Sequence, residues 1–123
     1  IKSYFDRINS IKQALNQHFF LGLRSFETNF ALYSPGSFYK KHRDQFQGNQ
    51  DRQISCVYYL NPEWQSNHGG MLSLFDEHQQ IIAEVPPSFN LFVCFRSHIL
   101  HEVQETHKTR LSIAGWLKQS ASL

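Results

Sequence analysis

The sequence has little of several features that mark other classes of protein. Its 123 residues include only two cysteines, too few for the disulfide framework of a small secreted domain. No apolar run approaches the roughly 20 residues that a membrane-spanning helix needs. The net charge of +2, with His neutral, is too small and too scattered to indicate a polyanionic partner. We therefore expect neither nucleic acid nor a membrane as a partner.

The two cysteines, Cys56 and Cys94, are far apart in sequence, and each lies in an apolar run. Buried, reduced thiols are therefore a better interpretation than a disulfide. Reduced thiols fit a reducing compartment, so we expect a cytoplasmic location. The chain begins with Ile1 rather than Met, and its start lacks the pattern of a signal peptide. Whether the chain is part of a longer protein stays open, as does its oligomeric state.

Aromatic residues, by contrast, are abundant, at 15% of the chain with eleven Phe. Each ring buries a large apolar area, so the core is expected to consist largely of rings. The length fits one domain with one core, residues 1–123. Apolar residues recur at helical spacing over residues 1–18, which predicts an N-terminal amphipathic helix with Gly22 as its stop.

From residue 25 onwards the apolar residues alternate, and turn signals rich in Gly, Pro and Asn recur between the alternating runs. A mainly β fold follows, because short alternating strands at even spacing are typical of sandwiches and barrels. Eight strands fit a jelly roll of two facing sheets over about residues 26–117. Residues 119–123 are expected to form a frayed tail. The predicted strands are residues 26–33, 38–44, 54–60, 71–75, 80–85, 89–95, 99–103 and 110–117.

A candidate metal site begins at His42 and Asp44, which lie two residues apart in a predicted strand. Alternation places both side chains on one face of that strand. His101, on a later strand, is the best candidate for a third ligand. Two His and one carboxylate leave coordination positions open and are typical of non-haem Fe(II) oxygenases. The alternative is a chance His-x-Asp pair whose His is an ordinary polar residue.

Arg110 opens the last predicted strand, and Ser112, Ala114 and Trp116 share its face. If that face lines the interior, the buried guanidinium needs an anion, because an unpaired buried charge is costly. A dicarboxylate would supply the anion, and Arg can bind a carboxylate through two parallel hydrogen bonds. The alternative is an Arg at the end of a strand that reaches solvent.

Taken together, these residues resemble the 2-oxoglutarate/Fe(II) dioxygenases, above all the prolyl 4-hydroxylase-like members, which include the oxygen-sensing prolyl hydroxylases and their bacterial relatives. The matching segments occur in the family's order between about Phe26 and Leu117. The spacing from His101 to Arg110 also matches. The segments are residues 31–36, 39–44, 56–61 with Trp64, 69–72, 91–95, 101–103 and 110–116.

The resemblance implies a double-stranded β-helix, which is a jelly roll, and it implies a role for each matching residue. His42, Asp44 and His101 would be the iron ligands. Arg110 would pair with the distal carboxylate of 2-oxoglutarate.

The resemblance also implies a pocket wall around the co-substrate. Tyr59 would donate its hydroxyl group to the same carboxylate as the arginine. Tyr33 would lie near the metal-chelating end of the co-substrate, and Leu72 and Trp116 would pack against the pocket. Ordinary core packing is the alternative for the tyrosine at 59, for Leu72 and for Trp116.

The activity implied by the resemblance is hydroxylation of a prolyl residue in a protein or peptide. It would use Fe(II), 2-oxoglutarate and O2, with ascorbate as a possible stimulant. The presence of Asp44 favours hydroxylation, because related halogenases lack this carboxylate and bind a halide in its place. Nucleic-acid demethylases of the same fold usually carry a second Arg six residues after the first, where this chain has Trp116.

Other functions remain as alternatives. The same class of oxygenase could act on a small molecule or a free amino acid. A cupin-like jelly roll would bind a metal without 2-oxoglutarate, but Arg110 and Tyr59 would then face inward without an anion. A non-catalytic binding module would not need three intact ligands. Residues 45–52 form either a lid or a plain hairpin loop, and Arg52 either contacts substrate or is a solvated charge.

Overall fold

One helix and eight strands make up the regular structure of the described residues. The computed structural model describes residues 2–121, so Ile1 of the predicted helix and the last two residues of the predicted tail lie outside the described residues. A short 3-10 helix, Ser66–His68, precedes the fourth strand. The elements are α1 Lys2–Phe19, β1 Ser25–Tyr33, β2 Tyr39–His42, β3 Arg52–Tyr59, β4 Leu72–Phe75, β5 Ile81–Val85, β6 Phe92–Arg96, β7 Leu100–Val103 and β8 Arg110–Lys118.

Helix α1 ends before the predicted stop at Gly22. Phe20 adopts a left-handed backbone conformation, with φ 55°, which the helix cannot continue. The Asn16 side chain then bonds both backbone groups of Leu23, at 2.7 and 2.9 Å. These contacts reverse the chain and direct it into β1. No helix within residues 2–121 combines the length and the apolar character that crossing a lipid bilayer requires.

The strands form two four-stranded antiparallel sheets. The first has the order β1-β8-β3-β6, and the second has the order β2-β7-β4-β5. This arrangement confirms the predicted mainly β jelly roll with an N-terminal helix. Strand β8 lies between β1 and β3, so its inward-facing residues reach the centre of the molecule.

The apolar core has two parts, one on each face of the first sheet. Alternation along β3 and β8 separates them, since successive side chains point to opposite faces. The outer cluster packs α1 against the first sheet and contains Ile8, Leu23, Ile54, Cys56 and Leu117. The inner cluster packs the two sheets together and contains Leu72, Leu74, Phe95 and Val103.

The core does not consist largely of rings, as the sequence predicted. Phe95 is the single aromatic residue among the buried members of the two clusters, and several other Phe, including Phe19, Phe20 and Phe30, are exposed.

The predicted tail is not frayed at its start, because the backbone amides of Gln119 and Ser120 both donate to Asp51.

The cysteines and one strand also differ from prediction. Cys94 is exposed, whereas both thiols were predicted to be buried; only Cys56 is, although both are free as expected. Cys94 lies on β6, an edge strand, and the outer cluster under α1 ends at Cys56 on β3. The second predicted strand, residues 38–44, is too long, because β2 ends at His42 and the chain bends before Asp44.

Leu117→Ala tests the outer cluster. Leu117 is fully buried, at 0% exposure, so truncation should lower the free energy of unfolding by about 2–5 kcal/mol. The matched control is Leu32→Ala, the same change at a side chain that is 65% exposed, where we expect a change within about 0.5 kcal/mol. Urea denaturation measures both. Equal losses in the two variants would show that this cluster does not stabilise the fold as described.

Candidate metal centre

Two histidines from neighbouring strands face each other in the interior. His42 on β2 and His101 on β7 are directly opposite in the ladder, and their ring centroids are 4.2 Å apart. In each ring Nδ1 donates to a backbone carbonyl two residues earlier, that of Lys40 at 2.7 Å and that of Ile99 at 2.9 Å. A carbonyl accepts only from an N–H group, so these bonds place the proton on Nδ1. Nε2 of each ring is then the nitrogen that faces Asp44, and it can bind a metal once it has released the proton that it donates to the carboxylate.

Asp44 completes the cluster from the bend after β2. Its Oδ1 lies 3.4 Å from Nε2 of His42 and 3.3 Å from Nε2 of His101. Adjacent ligands of an octahedral ion with bonds of about 2.1 Å are roughly 3 Å apart, so both Nε2–Oδ1 distances are close to those of ligands on one ion. All three donor atoms lie within 4.8 Å of one another. Within residues 2–121, no other group of three potential ligands comes as close together. The side chains predicted to be ligands thus converge.

The electrostatics of the cluster favour an ionised carboxylate. Burial raises the pKa of Asp44, but hydrogen bonds from His101, His42 and Ser55 and the charge of His101 outweigh burial and hold that pKa well below its ordinary value. Burial lowers the pKa of His42, yet its hydrogen bonds to Asp44 and to the Lys40 carbonyl raise the pKa overall. The Asp44 carboxylate is therefore ionised and available to a cation.

The bend that carries Asp44 is fixed by backbone hydrogen bonds rather than by the strand. The amides of Asp44 and Gln45 both donate to the carbonyl of Ser97, at 3.0 and 3.2 Å. Strand alternation was therefore the wrong reason for placing His42 and Asp44 together, although the two side chains do meet. Sequence inspection gave no signal for Ser97, which lies 53 residues further along the chain.

The guanidinium of Arg110 is buried, at 2% exposure, on the inner face of β8. Its Nε donates to the carbonyl of Gly70 at 2.9 Å, and one terminal nitrogen lies 3.4 Å from the hydroxyl of Tyr59. Tyr33, opposite Arg110 on β1, has its ring 5.2 Å from the guanidinium carbon. Among residues 2–121 no acidic side chain forms an ion pair with Arg110. A buried cation without an acidic partner among these residues is expected to attract an anion.

The tyrosines beside the guanidinium keep their protons. Burial raises the pKa of Tyr59 and of Tyr33, and the nearby charge of Arg110 only partly offsets that effect. Each phenol is therefore available as a hydrogen-bond donor at neutral pH. Together with Arg110, the hydroxyl of Tyr59 forms a site suited to a carboxylate.

One cavity of about 410 Å³ joins the histidine cluster to the guanidinium. Its size is that of a small-molecule site, and its wall is mostly apolar with a few convergent polar groups. Every candidate residue from the sequence lines it, namely Tyr33, His42, Asp44, Tyr59, Leu72, His101, Arg110 and Trp116.

Four contacts at or beside the site were not predicted. Ser55 and the indole N–H of Trp116 both donate to Oδ2 of Asp44, the latter at 2.9 Å. The guanidinium of Arg52 stacks on the indole of Trp116, with its carbon 3.8 Å from the ring centroid, and lies 3.4 Å from Glu27. Arg52 is thus half-buried rather than a solvated charge, and it begins β3 rather than ending the loop.

The loop between β2 and β3 is closed by its own hydrogen bonds. The Gln45 side chain donates to the carbonyl of Arg52 at 2.8 Å, and the amide of Asn49 donates to the carbonyl of Phe46 at 3.0 Å. Because β2 and β3 belong to different sheets, the segment is a connection between the sheets rather than a plain hairpin loop. Its role as a lid stays a prediction.

Comparison with known proteins gives consistent matches. A sequence model of the 2OG-Fe(II) oxygenase superfamily matches residues 28–118. The human protein named prolyl hydroxylase EGLN3 is 39% identical over 84 residues, 66% of this chain and 35% of that protein. A Pseudomonas putida prolyl-4-hydroxylase superposes with a TM-score of 0.90 at 39% identity, covering 95% of this chain and 65% of that one.

A fourth match carries a bound peptide. A prolyl hydroxylase from Trichoplax adhaerens, in complex with a peptide fragment of the hypoxia inducible factor oxygen degradation domain, superposes with a TM-score of 0.85 at 25% identity. That match covers 96% of this chain and 56% of the other. The chain thus spans about a third of the length of its human relative and less than two thirds of either solved chain. The segment matched by the superfamily includes the whole candidate site.

Proposed function

The chain belongs to the 2OG-Fe(II) oxygenase superfamily, and from that premise we propose that it is a hydroxylase dependent on Fe(II), 2-oxoglutarate and O2. The observation that carries the proposal is one cavity with two kinds of site. A cluster of two His and one carboxylate lies in it together with a buried guanidinium that has no acidic partner among residues 2–121. The cluster of two His and one carboxylate suits ferrous iron, and the buried guanidinium suits the distal carboxylate of a diacid.

The contacts of the cavity residues suggest a role for each of them. His42, Asp44 and His101 would hold the iron through Nε2, Oδ1 and Nε2. Arg110 and Tyr59 would bind the distal carboxylate of 2-oxoglutarate. When bound, the iron supplies the oxidation chemistry, in which one oxygen atom of O2 enters a C–H bond and the other enters succinate as 2-oxoglutarate loses CO2.

Tyr33, Leu72 and Trp116 would shape the rest of the pocket. Leu72 is buried at the cavity wall. The Tyr33 ring lies 5.2 Å from the guanidinium carbon of Arg110, so it stands at the distal-carboxylate end of the cavity rather than near the metal-chelating end, where the resemblance had placed it. Both side chains exclude water from the carboxylate site, which strengthens its charge-assisted hydrogen bonds. Trp116 lines the cavity too, but its N–H group is already engaged by Asp44.

The proposed substrate is a prolyl residue in a protein or peptide. The relatives named prolyl hydroxylases support this choice, and one of them was solved with a peptide bound. A small molecule or a free amino acid is the second candidate, and a 2-oxoglutarate band without any oxygenated peptide in the experiment below would favour it. A cytoplasmic location is also part of the proposal, and the two free cysteines support it.

An anaerobic titration tests the proposal. We expect purified protein with Fe(II) to develop a visible charge-transfer band when 2-oxoglutarate is added. After air and a peptide library are admitted, we expect succinate and a peptide with one added oxygen by mass spectrometry. The control omits 2-oxoglutarate. Iron binding without any band would favour a cupin-like metal protein, and the absence of bound iron would favour a non-catalytic module.

A further inference from the structure

The two carboxylate oxygens of Asp44 have different surroundings. Oδ1 faces Nε2 of both histidines, at 3.4 and 3.3 Å. Oδ2 points the other way and accepts two hydrogen bonds, one from the hydroxyl of Ser55 and one from the indole N–H of Trp116. Oδ1 thus faces the two rings that would share a metal with it, while Oδ2 is occupied by donors from outside the ligand set.

The serine donor is held in place by a further contact. Its Oγ lies 2.9 Å from Oγ of Ser97, and both serines are buried. The carbonyl of Ser97 in turn accepts from the amide of Asp44 at 3.0 Å. The backbone and the side chain of Asp44 are therefore fixed by the same neighbours, which leaves the carboxylate little freedom to rotate.

The indole donor is held from the opposite side. Arg52 stacks on the ring of Trp116, and Glu27 lies 3.4 Å from that guanidinium. Such stacking keeps the ring plane, and hence the direction of its N–H group, constant. The N–H group meets Oδ2 at 2.9 Å, an ordinary distance for a hydrogen bond to a carboxylate.

We propose that Ser55 and Trp116 are positioning residues that limit Asp44 to binding the metal through Oδ1 alone. A carboxylate with two free oxygens can bind a metal through both, and two charge-assisted hydrogen bonds on Oδ2 oppose that mode. With one atom from each of three side chains, an octahedral ion keeps three positions for 2-oxoglutarate and O2. The inference rests on the proposed function, because a bidentate Asp44 would take one of those three positions.

The test uses Co(II), whose visible spectrum reports the number and arrangement of its ligands. The variants are Ser55→Ala, Trp116→Phe and the double variant, since Phe keeps an aromatic ring under Arg52 but removes the N–H group. Ser55→Thr retains the hydroxyl group and is the rescue variant. Ser73→Ala removes another buried serine, on β4 away from Asp44, and is the matched control.

We expect every variant to bind one Co(II) ion. The Co(II) spectrum of the double variant should differ from that of the wild type, and its affinity for 2-oxoglutarate should fall about 10-fold or more. Ser55→Thr and Ser73→Ala should match the wild type in both measurements. A merely structural loss would lower the thermal midpoint without changing the Co(II) spectrum of the folded protein.

A wild-type spectrum and a wild-type affinity in the double variant would overturn the inference. If Ser55→Ala does not fold, Trp116→Phe alone decides by the same two criteria, since this residue is only half-buried. If the wild type binds Co(II) but not 2-oxoglutarate, the proposed function fails. The Co(II) spectra of wild type and variants then still decide the role of Ser55 and Trp116.

Discussion

Replacing His42 with alanine is expected to abolish iron binding and, with it, turnover of 2-oxoglutarate. His42 supplies one of three donor atoms, and its Nε2 lies 3.4 Å from Oδ1 of Asp44. A partner that only hydrogen-bonds a metal ligand contributes about 10- to 100-fold to affinity or activity, so losing a ligand should cost more than about 100-fold. Anaerobic titration with Fe(II), followed by the 2-oxoglutarate band and by succinate release, measures the effect.

A second histidine variant controls for the general effect of losing an imidazole. His107 is exposed and lies outside the cavity, so His107→Ala should bind iron and 2-oxoglutarate as the wild type does. Undiminished iron affinity in folded His42→Ala would remove this residue from the ligand set. The pair of variants thus separates a ligand from a surface histidine.

Replacing Arg110 with alanine is expected to weaken 2-oxoglutarate binding by roughly 100-fold while iron stays bound. The reason is that two charge-assisted hydrogen bonds to one carboxylate, each worth about 1.5 kcal/mol or more, would be lost together. Iron is retained because none of the three metal ligands contacts Arg110. Calorimetry with 2-oxoglutarate, alongside an assay of bound iron, measures both quantities.

Arg110→Lys sharpens this result. Lysine keeps the charge but lacks the planar guanidinium that can donate two parallel hydrogen bonds to one carboxylate. It should therefore restore only part of the affinity for 2-oxoglutarate. Arg96→Ala, at an exposed arginine on β6, should change neither affinity. Were Arg110→Ala to bind the co-substrate as tightly as the wild type, the diacid would have to lie elsewhere in the cavity.

Patterns within single strands predicted part of this site well. Alternation along β8 placed Arg110 on the face with Ser112 and Trp116, and all three line the cavity. That prediction needed only the period of a strand and the cost of burying a charge. The eight strands followed from the same period, with boundaries shifted by a few residues.

Contacts between distant segments could not be predicted in this way. The position of Asp44 depends on the Ser97 carbonyl, and its side chain depends on Ser55 and Trp116. No local periodicity links these positions, because each lies on a different segment of the chain. The exposure of Cys94 is a similar case, since an apolar run does not reveal that its strand lies at the edge of a sheet.

The two halves of the cavity belong to different sheets. The histidines come from the second sheet, whereas Arg110 and Tyr59 come from the first. In the proposed function, the distance between the iron and the guanidinium would be set by the packing of the inner cluster between the sheets, which includes Leu72 and Phe95. A diacid could then bridge the two groups only if its chain length matched that distance. Selectivity among diacids would therefore depend on apolar residues that bind neither of its carboxylates.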